Sequence, residues 1–196
     1  DYGDGISEEY MGRALYGRRD DVFLATKVCA RDAETATAQI NESLTRLRTD
    51  HVDLLQLHEC NYDNDPEWIC RTGGALEAAV AARNAGKVRF IGECNYMGWR
   101  HAEATAAAAL HGRAQFVSAQ SYYNLFRRQV ELELLPYCHA NNVGFLPYYP
   151  LAGGWLTGKY TRGSEAPATA RRMVGELQVD EQAQDTLAKL DAFAGE

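Results

Sequence analysis

Short apolar runs and longer amphipathic stretches alternate along most of the chain. The apolar runs are nearly continuous, which is typical of strands that are covered by helices. Five such runs occur, at residues 22–28, 52–58, 88–94, 116–120 and 143–149. The pattern therefore predicts five β-strands with helices between them.

Helical patterns fill the intervals between these runs. A first helix is predicted from about Ser7, with the Ser7 side chain as its N-cap. Asp32 is the predicted N-cap of a second helix, and an alanine-rich helix is predicted to end at Gly86. The remaining predicted helices cover residues 99–111 and 129–141 and a segment from about residue 180.

The spacing of the runs identifies the architecture. Successive runs end at residues 28, 58, 94, 120 and 149, so the intervals are 30, 36, 26 and 29 residues, the length of βα units. Such units build either a closed eight-stranded barrel or an open doubly wound sheet. No GxGxxG turn of a dinucleotide-binding doubly wound sheet occurs in the sequence. We predict an α/β chain forming an incomplete (β/α)8 TIM barrel, with about five of the eight units, as a single partial-barrel domain over residues 1–196.

Composition and charge narrow the class of partner. The formal net charge is −7 and no cluster of Lys or Arg occurs, which disfavours binding to nucleic acid or to a membrane surface. No apolar run approaches the roughly 20 residues of a membrane helix. The five cysteines are odd in number and show no CxxC pairing, as expected for reduced thiols. We expect a cytoplasmic protein, and the sequence does not determine its oligomeric state.

Polar groups stand at the end of each of the five predicted strands. In a barrel the chemistry gathers at the carboxyl ends of the strands, so these positions are the candidates for a site. They are Lys27, His58, Cys94 with Asn95, Gln120 with Ser121, and Tyr148 with Tyr149. Taken alone, Lys27 is equally compatible with a strand-end lysine that reaches solvent, and His58 with a structural histidine.

Tyr2, Lys27 and His58 together suggest acid catalysis by a phenol. A free tyrosine has a pKa of about 10, and a neighbouring ammonium group favours the phenolate and lowers that pKa. Lys27 is the candidate for this charge, and His58 could hydrogen-bond a carbonyl oxygen and orient it. Such a site would protonate the alkoxide that forms when a carbonyl is reduced.

The other strand ends suit a planar ligand that carries an amide. Asn95 and Gln120 can both donate and accept amide hydrogen bonds, and Tyr148 offers an aromatic face for stacking. Nicotinamide fits this description.

Six segments in register resemble the aldo-keto reductase superfamily, which comprises NADPH-dependent oxidoreductases on a (β/α)8 barrel. The segments are YGDGISEEYMGRAL, FLATKV, RLRTDHVDLLQLHE, GKVRFIGECNY, QSYYNLFRR and PYYPLAGGWLTGKY, and they span about residues 1–165. The resemblance implies reversible NAD(P)H-dependent reduction of aldehydes or ketones, with NADPH (NADP⁺) as cofactor and a small carbonyl compound, sugar or alcohol as substrate. The implied catalytic residues are Tyr2 as proton donor, Lys27 and His58. The implied cofactor-binding residues are Cys94, Asn95, Gln120, Tyr148, Leu151 and Gly153.

The chain departs from the family pattern in several places. The family's catalytic aspartate lies several positions upstream of the tyrosine, and Asp1 is adjacent to Tyr2 and therefore cannot be that residue. Cys94 stands in place of a usual serine, as does Tyr149, and Glu59 stands where many members have an aromatic residue. The expected first two strands, the last strand and the segment that binds the adenosine 2′-phosphate are also missing, so we expect these residues to be the middle of a longer protein.

Two other interpretations remain open. A metal-dependent barrel hydrolase could use His58, Glu59, Cys60 and Asp63 or Asp65, but adjacent residues are poor ligand spacing and we predict no metal site. The second alternative is a non-catalytic NADPH-binding regulatory relative or an inactive fragment.

Overall fold

The chain forms a five-stranded sheet. The computed structural model describes residues 3–58, 64–159 and 181–195. The strands are β1 (Ala25–Val28), β2 (Val52–Leu57), β3 (Val88–Cys94), β4 (Ser118–Tyr122) and β5 (Gly144–Tyr148). Their order in the sheet is the order of the sequence, and the pairs β1–β2, β2–β3 and β3–β4 are parallel. Each predicted apolar run overlaps a strand. The prediction of five βα-type strands is therefore confirmed, although β1 starts three residues late and β4 is displaced by two.

Helices precede, separate and follow the strands. They are α1 (Ile6–Ala14), α2 (Ala33–Leu47), α3 (Asp65–Cys70), α4 (Ala75–Asn84), α5 (Gly98–Leu110), α6 (Leu134–Asn141) and α7 (Glu181–Ala194). Short 3-10 segments lie at Arg19–Asp21, Gln129–Glu131 and Ala152–Thr157. The predicted helix over 129–141 is thus a 3-10 turn followed by a shorter α-helix, and α3 was not predicted.

The N-caps of the first two helices differ in chemistry. Asp32 caps α2 as predicted, because its carboxylate accepts a hydrogen bond of 2.8 Å from the Thr35 amide. The predicted cap of α1 at Ser7 is wrong. Its N-cap is Gly5, whose φ of 90° is the left-handed conformation that glycine adopts without steric cost.

The chain divides into two compact units. The first contains residues 1–121 and 131–146, and the second contains residues 122–130 and 147–196. In the first unit all six residues of β2 are buried, and Val52, Leu55 and Leu57 belong to a core that also contains residues of α2 and α4. Members of this core with little or no exposure are Leu55, Leu57, Ile91, Leu76 and Ile40. The single domain over residues 1–196 stays a prediction.

A buried carboxylate near the amino end of β2 accepts several hydrogen bonds. Asp53 accepts hydrogen bonds from the Leu24 amide at 2.8 Å, from Arg19 at 2.9 Å and from Arg89 at 2.6 Å. Burial alone would raise the pKa of Asp53, but these hydrogen bonds outweigh it and lower the pKa to about 2. The network lies at the edge of the sheet opposite the strand ends that carry the candidate site.

Strands β3 and β4 approach closely at Gly92. A Cβ atom at this position would overlap Oγ of Ser118 and would lie 3.3 Å from Cδ1 of Leu54. The absence of a side chain therefore permits the close approach of the two strands.

Candidate active site

The parallel register brings several strand ends to one edge of the sheet. Lys27 on β1 is level with Gln56 on β2, and Cys94 on β3 is level with Gln120 on β4. Because parallel strands all end at the same edge, side chains from different strands can meet there.

Lys27, Cys94 and Gln120 form a contact cluster within the first unit. The Lys27 ammonium donates a hydrogen bond to Oε1 of Gln120 and lies 3.9 Å from Sγ of Cys94. The Cys94 sulfur is in turn 3.7 Å from Oε1 of Gln120, and Cys94 is buried. Three of the residues that the sequence selected are therefore in direct contact. They lie beside a cleft of ≈ 260 Å³ that Lys27, Thr26, Gln56 and Gln120 help to line.

Asn95 is held beside this cluster by its backbone. Its amide donates a hydrogen bond of 2.8 Å to the carbonyl oxygen of Gln120. Its φ is 78°, in the left-handed region that asparagine tolerates better than most residues. The turn after β3 thus places Asn95 next to Gln120 on β4.

His58 follows β2 and contacts a cysteine that the sequence interpretation missed. The His58 amide donates to the Val28 carbonyl at 2.8 Å, and its ring Nδ1 lies 3.4 Å from Sγ of Cys29. Cys29 is exposed, and its own amide donates to Oε1 of Gln39 at 3.0 Å. The signal available in the sequence was position, because Cys29 stands two residues after Lys27 at the end of β1.

A buried ionisable pair lies under the Asn95 turn. Glu93, the penultimate residue of β3, contacts Nδ1 of His101 on α5 at 3.0 Å. Burial raises the pKa of the Glu93 carboxyl, and the hydrogen bonds to His101 and Tyr96 only partly offset this. The sequence signal for this pair is a charged residue inside the apolar run 88–94. The same kind of signal identified Lys27 in the run 22–28.

Three aromatic rings cluster in the second unit. The rings of Tyr148 and Tyr122 stack with centroids 5.3 Å apart and an angle of 6°. Tyr149 packs edge-on against both, with centroids 5.7 Å from Tyr122 and 5.6 Å from Tyr148. Tyr148 is therefore supported by a second aromatic ring, which the sequence interpretation did not include.

The loop after β5 contains consecutive left-handed residues. Leu151 is exposed and accepts backbone hydrogen bonds from Gly154 at 2.9 Å and Leu156 at 3.2 Å. Ala152, Gly153 and Gly154 have φ values of 49°, 66° and 111°. Glycine is favoured at the last two positions because it adopts positive φ readily.

Some predicted residues lie outside the described part of the chain. Tyr2 is one of them, as are Glu59, Cys60 and Asp63 of the alternative metal site. Asp65 is described, and its Oδ1 accepts a hydrogen bond of 2.5 Å from Arg31. Among the described residues no group of three or more His, Cys, Asp or Glu is arranged to hold a metal ion. Within the same ranges, no helix has both the length and the apolar composition needed to cross a membrane.

Comparison with known proteins decides the family. A sequence model of the Aldo/keto reductase family matches residues 1–195. The chain belongs to this family. The resemblance seen in the six sequence segments is thereby confirmed for nearly the whole chain.

Individual aldo/keto reductases align over about half of their own length. The chain is 37% identical to aldo-keto reductase YhdN of Bacillus subtilis over 172 residues, which covers 82% of this chain and 48% of that protein. It is 34% identical to human aflatoxin B1 aldehyde reductase member 2 over 167 residues, covering 81% of this chain and 45% of the relative. The chain thus spans about half the length of these curated relatives.

Solved aldo/keto reductase structures share the fold. A glycerol dehydrogenase from Gluconobacter oxydans superimposes with a TM-score of 0.77 at 25% identity, covering 100% of this chain and 62% of that one. An aldo/keto reductase from Klebsiella pneumoniae in complex with NADP and acetate gives a TM-score of 0.67 at 30% identity, covering 78% and 51%. The predicted fold class, an α/β chain with part of a (β/α)8 barrel, is confirmed.

Proposed function

We propose that the protein is an NADPH-dependent oxidoreductase that reversibly reduces aldehydes or ketones to alcohols. Its substrate is then a small carbonyl compound, or a sugar or alcohol in the reverse direction. The observation that carries the proposal is the contact cluster of Lys27, Cys94 and Gln120 with Asn95 bonded beside it. This cluster joins a candidate catalytic lysine to candidate carboxamide-binding residues in one network.

The donors and acceptors at the cluster fit a nicotinamide carboxamide. Because Oε1 of Gln120 accepts a hydrogen bond from Lys27, Nε2 of Gln120 would be the atom that donates to a ligand oxygen. Asn95 supplies a second amide, and its backbone is held by the Gln120 carbonyl. Cys94 stands where the resemblance places a serine, and its sulfur contacts Gln120.

Three further residues, Tyr148, Leu151 and Gly153, are those that the resemblance implies for the rest of the cofactor. Tyr148, backed by the stacked ring of Tyr122, would pack on the nicotinamide. Leu151 and Gly153 would lie near the pyrophosphate, in a loop whose consecutive left-handed residues form the kind of backbone concavity that binds anions. NADPH, when bound, would supply the hydride.

The catalytic residues would transfer a proton to and from the substrate oxygen. Tyr2 would donate that proton, and the Lys27 ammonium would favour the phenolate that remains. His58 would hydrogen-bond the carbonyl oxygen and orient it toward the donor. In the reverse direction the same groups would remove the proton from the alcohol.

Calorimetric titration of NADPH into the protein tests the cofactor site. We expect saturable binding that weakens by about fivefold or more in Asn95→Ala, because a lost amide hydrogen bond costs about 1 kcal/mol. Asn41→Ala is the matched control, because Asn41 is exposed on α2 and its Oδ1 accepts a hydrogen bond from Lys87 in the first unit. Absence of saturable binding in the wild type would overturn the proposed function.

The proton donor is tested by turnover with a panel of aldehydes. We expect Tyr2→Phe to lower kcat by about 100-fold or more while the Kd for NADPH stays unchanged. Tyr16→Phe is the control, because Tyr16 is exposed beyond α1. A Tyr2→Phe variant with wild-type turnover would exclude that role for Tyr2.

A further inference from the structure

Glu93 and His101 are an ionisable pair buried in the first unit with no assigned role in the proposed chemistry. Both side chains are 0% exposed, and Oε1 of Glu93 lies 3.0 Å from Nδ1 of His101. Burying such groups is costly, and apolar residues of similar volume often replace a buried ion pair at no loss of stability. Packing alone therefore does not account for this pair.

The Glu93 carboxylate also binds the turn that carries Asn95. Its second oxygen, Oε2, accepts a hydrogen bond of 3.0 Å from the Tyr96 amide, three residues further along the chain. The Asn95 amide bonds to the Gln120 carbonyl at 2.8 Å. The turn at Cys94 and Asn95 is therefore held by two hydrogen bonds. One joins the Tyr96 amide to the Glu93 carboxylate, and the other joins the Asn95 amide to β4.

This bridge favours an uncommon backbone conformation. Asn95 has a φ of 78°, and a non-glycine residue adopts the left-handed region only when its surroundings compensate for the cost. The hydrogen bond from the Tyr96 amide to Glu93 closes the turn in which this conformation occurs. Without the carboxylate, the Tyr96 amide would lose its acceptor and the turn could relax.

His101 fixes the orientation of the carboxylate. Its ring packs between Phe116, with centroids 6.0 Å apart, and Tyr137, with centroids 5.2 Å apart. Its Nε2 has no hydrogen-bond partner within the described residues, so the contact of Nδ1 with Glu93 is the polar anchor of the ring there. The two aromatic contacts and this anchor hold the ring against Glu93.

We propose that Glu93 and His101 are positioning residues that hold Asn95 in the conformation that binds the cofactor carboxamide. The inference rests on the proposed function, because it assigns a task to Asn95 only when the nicotinamide cofactor binds there. Neither residue touches the cofactor in this proposal.

A double replacement separates positioning from stability. Glu93→Leu combined with His101→Phe replaces the pair with apolar residues of similar volume, so no buried charge is left unpaired and the protein should stay folded, with a loss of at most about 1–3 kcal/mol for the Tyr96 amide that loses its acceptor. We nevertheless expect the Kd for NADPH to rise about tenfold and the Tyr96 amide to lose protection from hydrogen exchange. Glu93→Gln keeps an acceptor for the Tyr96 amide and a polar partner for His101, and should bind NADPH within about threefold of the wild type.

The control is Glu103→Leu, which removes an exposed carboxylate from the same helix and should leave the Kd unchanged. A folded double variant that binds NADPH as tightly as the wild type would overturn the inference alone. The same holds if Glu93→Gln binds as weakly as the double variant. Failure of the wild type to bind NADPH would instead overturn the proposed function together with the role assigned to the pair.

Discussion

Replacing Asp53 with Asn should destabilise the protein in a pH-dependent way. The Asp53 carboxylate is buried at the start of β2 and accepts hydrogen bonds from Arg19, Arg89 and the Leu24 amide. Asp53→Asn preserves the shape of the side chain but removes its charge. The buried side of the Arg19 guanidinium then loses its counter-ion.

The magnitude follows from the pKa of Asp53. The gap between its folded pKa of about 2 and the ordinary value of 3.8 corresponds to about 2 kcal/mol of stabilisation at neutral pH. Because the folded pKa is depressed, this stabilisation is present above pH 3.8 and is lost as the pH falls through about 2. At pH 7 the variant should melt roughly 4–8 °C lower than the wild type, and the difference in unfolding free energy should shrink to about half by pH 3.

Urea unfolding followed by circular dichroism at a series of pH values between 7 and 3 measures this difference. Asp21→Asn is the control, since the ion pair of Asp21 with Arg18 is exposed and should contribute nothing resolvable. A difference between wild type and Asp53→Asn that stays constant from pH 7 to pH 3 would refute the electrostatic reasoning. So would the absence of any difference at pH 7.

Two further predictions concern strand packing and thiol reactivity. Gly92→Ala should lower the free energy of unfolding in urea by about 1–3 kcal/mol, because the new Cβ would overlap Oγ of Ser118. Adding Ser118→Ala should recover most of that loss. A double variant no more stable than Gly92→Ala would show that the strain arises from another contact. Iodoacetamide at pH 8 should modify the exposed Cys29 quickly and leave Cys70 unmodified, because burial raises the pKa of Cys70 to about 12. Peptide mass spectrometry measures the labelling of each cysteine, and equal labelling of the two in the folded protein would contradict this prediction.

The strands were predictable because their burial depends on local composition. The apolar runs located all five, since covered parallel strands carry little polar sequence. The late start of β1 was not predictable in this way. The Leu24 amide bonds to the Asp53 carboxylate 29 positions away, and no local pattern contains that contact.

The site was predictable only where its residues lie in the carboxyl-terminal half of a strand or directly after it. Lys27, Cys94 and Gln120 could be chosen one at a time, because parallel strands bring their ends together whatever the register. The contacts of Cys29 with His58 and of Glu93 with His101 depend on a pairing register and on a helix orientation. Both are tertiary contacts, so a search for polar residues at strand ends cannot identify them.

The buried pair beneath Asn95 also constrains how the sequence can change over evolution. An apolar substitution at Glu93 alone leaves a His101 nitrogen unpaired in the core, and an apolar substitution at His101 alone leaves the Glu93 carboxylate unpaired there. Either step costs about 1–3 kcal/mol. Single apolar substitutions should therefore destabilise the fold, whereas paired apolar ones should keep its stability but lose cofactor affinity. Among close relatives the two positions, eight residues apart, should be inherited or lost as a unit, and a designer who alters one of them should alter the other in the same step.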